Sequence, residues 1–140
     1  MKILITGAAG FVGKNLTAAL ENIRDGKDRV HKIKGLDEPS DLVIYKYDIS
    51  SSPEDLDTYC READFVFNLA GVNRPKDPEE FMKGNFGFGS KLLETLKKYG
   101  NKAPVMLSSS IQASLEGRYA GSEYGKSKLA GEELFRKYSE

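Results

Sequence analysis

The stretch KILITGAAGFVG, residues 2–13, decides the fold. Its first five residues, KILIT, form a short apolar run with the length and β-branched content of a buried strand. Three glycines follow at even spacing, Gly7, Gly10 and Gly13. Beyond them the apolar residues Val12, Leu16, Ala19, Leu20 and Ile23 recur at intervals of three and four, which predicts an amphipathic helix. A strand that turns through glycines straight into a helix opens a parallel βαβ unit. In such a turn Gly7 permits a tight reversal, Gly10 lets backbone approach a pyrophosphate, and Gly13 lets the helix pack closely on the sheet. The helix N-terminus, with Phe11 and Val12 in its first turn, then offers free N–H groups and a positive dipole end to phosphate oxygens. The glycine spacing alone is a weak signal in a chain with 14 glycines. Its position between a strand and a helix, near the start of the chain, carries the reading.

Working outward, the same alternation repeats. LVIYKYD (residues 42–48), DFVFNLAG (64–71) and APVMLSSS (103–110) read as further strands. SSPEDLDTYCREA reads as a helix capped by Ser52, with Pro53 at its first position and acids in its first turn. DPEEFMKGNFGFGSKLLETLKKYGN reads as a long helix opened by Asp77 and Pro78 and closed by Gly100. A last helix begins near Tyr124 and turns Leu129, Leu134, Phe135 and Tyr138 inward. RVHKIKGLD is expected to hold one more strand, although Val30, Ile33 and Leu36 alternate poorly. The predicted class is α/β: a Rossmann-like, doubly wound parallel sheet of about five strands in three αβα layers, with residues 1–140 forming one dinucleotide-binding domain.

Composition narrows the chemistry. Lys plus Arg and Asp plus Glu each number 21, so the formal net charge is zero. That balance argues against a nucleic-acid or anionic-membrane partner, which would select a clustered basic excess. No apolar run approaches the roughly 18 residues of a membrane span, and no signal-peptide pattern opens the chain. Cys60 is the one cysteine and His31 the one histidine. Together they provide no internal disulfide, no metal site and no Ser-His triad, and the chain reads as cytoplasmic.

Three further motifs carry chemistry. NLAG (68–71) closes one strand with small residues, Leu69, Ala70 and Gly71, that leave room for a flat ring or a ribose; on its own it is also an ordinary strand and turn. LSSS ends another strand with Ser108, Ser109 and Ser110 at the edge where ligands of open α/β sheets sit, although any of them could equally cap a helix. YGKSK places Tyr124 and Lys128 four apart, on one helical face. A tyrosine of pKa about 10 is a poor acid-base catalyst at neutral pH, and a nearby ammonium lowers it. A drop of about three units corresponds to roughly 4 kcal/mol. Taken singly, YxxxK is most often a solvated helix face.

Taken in this order, the motifs resemble the short-chain dehydrogenase/reductase superfamily, in its extended branch acting on nucleotide sugars, the NAD-dependent epimerase/dehydratase family. The resemblance implies that the glycine turn binds NAD(P), that Tyr124 transfers the proton and that Lys128 holds the nicotinamide ribose and tunes Tyr124. It implies that Ser110, or alternatively Ser109, hydrogen-bonds the reacting carbonyl. Asp48 matches the family's aspartate near the adenine, and Asn85 its helix asparagine behind the active site. LAGVNRP, SSSIQAS and YGKSKLAGEELF are most similar to the N-terminal reductase domain of the capsular-polysaccharide enzymes that make UDP-N-acetyl-L-fucosamine. Those enzymes reduce the 4-keto group of a UDP-2-acetamido-2,6-dideoxy-hexulose, usually with NADPH. The 4,6-dehydratases of the family place an Asp-Glu pair after the strand serine or threonine; Ile111 and Gln112 stand there instead, which argues against dehydration.

The resemblance leaves three readings: a UDP-sugar 4-keto reductase, a nucleotide-sugar 4-epimerase holding NAD, and a dinucleotide-binding module without a substrate. Extended reductases continue beyond the YxxxK helix into the part that binds the UDP-sugar, so the 140 residues alone are expected to turn over poorly. NADPH is preferred if the second strand ends near Ile33, through Lys32 and Lys34; NADH is preferred if it reaches Leu36, through Asp37. The first is favoured because Gly35 suits a turn. Arg74 lies in a loop where it could meet a sugar phosphate, or simply solvent. The glycines at 84, 87 and 89 each cost a helix about 1 kcal/mol relative to alanine, which suggests close helix packing, and the resemblance implies a homodimer.

Overall fold

The computed structural model describes residues 1–48, 50–70, 87–107 and 123–139, with backbone alone at 123–125, 127 and 128. Strand β1 (Lys2–Thr6) leads into helix α1 (Phe11–Arg24). A single 3₁₀ turn (Pro39–Asp41) precedes β2 (Val43–Tyr47), followed by α2 (Pro53–Glu62) and β3 (Phe65–Asn68). Helix α3 (Phe88–Lys98), strand β4 (Val105–Leu107) and helix α4 (Glu123–Ser139) complete the order. All pairings are parallel, and the strand order is β2-β1-β3-β4.

The described sheet has four strands, not about five. RVHKIKGLD holds none, and LVIYKYD is itself the neighbour of β1. The poor alternation in that segment has a physical counterpart. Ile33 and Leu36 pack beside Met1 and Leu42 as an irregular apolar lid instead of pairing through backbone. Asp28 holds the loop's start, accepting from the backbone N–H of Val30 and of His31 at 3.0 Å each.

Period-two alternation sends the sides of β1 to two cores. Ile3 and Ile5 pack with Leu20 of α1 and with Leu42, whereas Leu4 packs with Leu56 and Cys60 of α2 and Leu92 and Leu96 of α3. Among the described residues one helix therefore covers one face and three cover the other, giving the three layers. The helix α1 stripe differs from expectation at its start: Gly13, Thr17 and Leu20 are buried, while Val12 and Ala19 are exposed. Ser52 and Pro53 do open α2, with Glu54 and Asp55 in its first turn. Gly100 closes α3 at φ +64°, and the Asn101 N–H returns to the Leu96 carbonyl at 2.9 Å, a left-handed helix stop. Gly89 lets α3 approach α4 within the chain, since a Cβ there would lie 3.0 Å from the Phe135 ring. The opening of the long helix at Asp77 and Pro78 lies outside the described residues.

Candidate cofactor site

The register aligns the strand ends. Thr6 stands level with Tyr47 of β2 and with Asn68 of β3, and Asn68 with Leu107 of β4. The chain runs from β1 to β2 on one side, then crosses β1 to reach β3 on the other. The direction of winding reverses between β1 and β3, and open α/β sheets bind ligands in the crevice outside such a switch point. The residues that follow the strand ends, Gly7, Asp48 and Leu69, form its rim.

A buried polar pair holds the crevice. The Thr6 hydroxyl donates to Asn68 Oδ1 at 2.6 Å and accepts from the Ala70 N–H at 3.3 Å. The Leu69 N–H donates to the Thr6 carbonyl at 3.2 Å. Thr6 and Asn68 are fully or almost fully buried. The sequence reading gave neither a role, although a polar residue ending each of two apolar runs was the available signal. Their bonds seat the Leu69–Ala70 backbone directly over Gly7. Gly7 has φ +68°, and a Cβ there would lie 2.6 Å from the Ala70 nitrogen and 2.7 Å from the Leu69 carbonyl carbon. Gly13 is equally filled: its Cβ would run into the Gly7 carbonyl oxygen and come within 2.8 Å of Ala8 Cα.

Gly10 is different. It is exposed, and a Cβ there would meet only the Gly7 carbonyl oxygen, at 3.3 Å. It is also the N-cap of α1, whose first turn has neither a side-chain cap nor an acid among the described residues. The first helical bond runs from the Lys14 N–H to the Gly10 carbonyl at 2.9 Å, so the first-turn N–H groups lack intrahelical partners. Unpaired donors and an open glycine at a helix's positive end fit a pyrophosphate. Phe11 and Val12 lie beside them, 84% and 58% exposed.

Of the other sequence-derived site residues, Asp48 follows β2 beside this turn, and the Ala8 N–H donates to the Tyr47 carbonyl at 3.2 Å, tying the turn to that strand end. Hydrogen bonds from the Ser50 hydroxyl and N–H hold the Asp48 carboxyl below the usual carboxylate range. Lys34 is not brought to the site. It adjoins Gly35, whose Cβ would lie 3.5 Å from Met1 Cε, at the amino edge of the sheet. The whole length of β1 separates it from Gly7. The expectation that Lys34 ends a second strand fails because no strand forms there. Gly71, Asn85, Ser109, Ser110 and Arg74 lie outside the described residues. Tyr124 and Lys128 lie in the first half of α4 with their backbone alone described.

The glycine turn, the switch point and the parallel order agree with what known proteins show. The chain is 39% identical over 133 residues to the UDP-2-acetamido-2,6-beta-L-arabino-hexul-4-ose reductase of Pseudomonas aeruginosa, covering 95% of this chain and 30% of that protein. It matches the crystal structure of the capsular polysaccharide assembling protein CapF from Staphylococcus aureus at TM-score 0.70 and 38% identity, over 99% of this chain and 32% of that one. The UDP-glucuronic acid 4-epimerase of Bacillus cereus in complex with NAD shares the fold at TM-score 0.72 and 23% identity, over 99% of this chain and 52% of its own. The chain thus spans about a third of the first two proteins. The NAD dependent epimerase/dehydratase family matches residues 3–140, and with a crevice of this construction the chain belongs to that family of NAD(P)-dependent enzymes.

Proposed function

We propose that these residues form the cofactor-binding part, with the proton-transferring side chains, of a nucleotide-sugar reductase. The observation that carries the reading is the uncapped N-terminus of α1 behind Gly10, open at the switch point between β1 and β3. The substrate class comes from the Pseudomonas aeruginosa relative: a UDP-2-acetamido-2,6-dideoxy-hexulose reduced at its 4-keto group. Likeness to CapF supports a place in capsular or surface polysaccharide assembly.

In this reading the first-turn N–H groups of α1 bind the pyrophosphate, and Gly10 admits it without a side chain in the way. Leu69 and Ala70, at the exit of β3, would hold the ribose and ring, and Gly71 and Asn85 take the cofactor-binding roles that the family resemblance implies for them. Bound there, the nicotinamide supplies hydride. Ser110 polarises the sugar carbonyl by donating a hydrogen bond, which favours the charge that develops on that oxygen. Tyr124 gives the oxygen its proton. The Lys128 ammonium lowers the tyrosine pKa toward the working pH and holds the ribose hydroxyls.

Calorimetric titration with reduced dinucleotide tests the cofactor half of this reading; saturable binding is expected, and its absence from a folded sample would refute it. Grafted in place of the matching residues of the Pseudomonas aeruginosa reductase, the chain is expected to sustain reduction of the UDP-4-keto-sugar. Tyr124→Phe should then lower kcat by at least about a hundredfold. Binding without turnover in that graft would favour a dinucleotide-binding module instead.

A further inference from the structure

We propose that Asp48 makes this chain select NADH over NADPH. The inference rests on the dinucleotide-site reading above and deepens it. Adenine dinucleotides differ only at the ribose 2′ position, which is read at the end of the strand next to β1: an acid there accepts from the free hydroxyl, and a basic residue accommodates the phosphate. The usual spacing of about 20 residues from the glycine turn points to residues 30–37, where Lys32, Lys34 and Asp37 compete. None of that segment is a strand, and it folds against Met1 at the far edge of the sheet.

On the side of β1 away from β3 its neighbour is β2, and the register there is unambiguous. Tyr47 is level with Thr6, so the next residues, Asp48 and Gly7, leave the sheet side by side. The bond from the Ala8 N–H to the Tyr47 carbonyl keeps the two exits together. Asp48 thus occupies the position that reads the ribose, in place of the adenine-side role the resemblance implies, and is displaced along the sequence because the crossover from α1 is long and strandless.

Its local bonding suits an acceptor. Both bonds from Ser50 go to Oδ1, from the N–H at 2.8 Å and the hydroxyl at 2.5 Å. The Ser51 N–H also favours the ionised carboxyl, and Oδ2, which takes neither Ser50 bond, remains able to accept from a vicinal diol. The Ser51 hydroxyl accepts from the Asp48 N–H at 3.1 Å, so the turn is closed on itself and the carboxylate is oriented. A 2′-phosphate would instead meet this carboxylate, which forms no ion pair among the described residues. The neighbouring Lys46 lies 3.7 Å from Glu21 of α1, and no cation contributes to the low pKa of Asp48.

The test is the ratio of dissociation constants for NADH and NADPH, measured by tyrosine-fluorescence quenching on the chain and on two variants. The unmodified chain is expected to bind NADH on the order of a hundredfold tighter, since a like-charge contact costs several kcal/mol. Asp48→Asn keeps the acceptor for the Ser50 N–H and removes the charge, so it should narrow the ratio about tenfold by improving NADPH binding. Asp48→Arg should bring the ratio to unity or invert it. NADPH bound as tightly as NADH by the unmodified chain, or a ratio indifferent to both substitutions, would overturn the inference and leave the dinucleotide site standing. A folded chain that binds neither would overturn both.

Discussion

The two glycine-bearing loops that flank α1 look alike in sequence and are built on different physics. The turn before the helix holds Gly7 at φ +68°, and the loop after it holds Gly26 at φ +78°. Both need the left-handed region, which a Cβ penalises. Only Gly7 is also enclosed: Leu69 and Ala70 backbone occupies the place of its Cβ, whereas nothing lies within 4 Å of a Cβ at Gly26. Before the helix glycine makes room for a second strand's exit; after it glycine only relieves a backbone angle. Space is therefore the scarce quantity at the carboxyl edge, where the candidate site lies, and conformational freedom is the scarce quantity in the crossover.

Substitutions can separate these two causes. Gly7→Ala should be the most damaging, adding about 1–2 kcal/mol of left-handed strain to about 1–3 kcal/mol of overpacking against backbone that cannot yield. Denaturant unfolding should show a loss of roughly 4 kcal/mol, or no folded protein at all. Gly13→Ala, with φ outside the left-handed region and a Cβ driven into Gly7 and Ala8, should cost about 3 kcal/mol by the same measurement. Asn68→Leu removes the buried acceptor of Thr6 and should cost about 2 kcal/mol. Dinucleotide affinity should fall with it, because the Ala70 N–H loses its anchored partner. Gly26→Ala carries the strain alone, about 1 kcal/mol, and Gly26→Asn should restore most of it. If Gly26→Ala proved as costly as Gly7→Ala, the distinction between the loops would be lost.

The smallest effect concerns pH and lies outside both loops. The Tyr45 hydroxyl donates to Glu62 Oε2 at 2.5 Å; this bond, with burial, raises Tyr45 from 10.0 to about 12. A tyrosine whose folded pKa is raised contributes stability that is whole below pH 10 and lost as the pH climbs toward 12. Glu62 is lowered by the same bond, so its contribution is present above the ordinary carboxylate pKa and lost as the pH falls through its depressed value. Thermal unfolding of Tyr45→Phe across pH 9 to about 12 should show a shallower alkaline decline than the unmodified chain. Equal slopes would mean that the pair does not persist in solution.

The glycine turn was legible because it is local. KILIT, the three glycines and the stripe that follows lie within one continuous segment, and each residue type answers a need of its immediate neighbours. The strands LVIYKYD, DFVFNLAG and APVMLSSS were legible for the same reason, as was Gly100 at the end of α3. The burial of Val12 was misjudged because periodicity assigns a face to a helix without saying where along the helix that face is covered; in the first turn Phe11 and Val12 are both exposed. Thr6 and Asn68 were passed over because their bond joins residues 62 apart in the chain.

Local chemistry, then, was the sequence's share: apolar alternation, turn glycines, and the YGKSK and LSSS motifs whose resemblance names a family. Which strand lies beside β1 was decided by tertiary structure alone. Parallel strands pair through backbone groups common to all residues, so no side chain announces its neighbour. That pairing puts Asp48 beside Gly7 at the carboxyl edge and leaves Lys34 at the other edge of the sheet, and the proposed ribose-reading role of Asp48 rests on it.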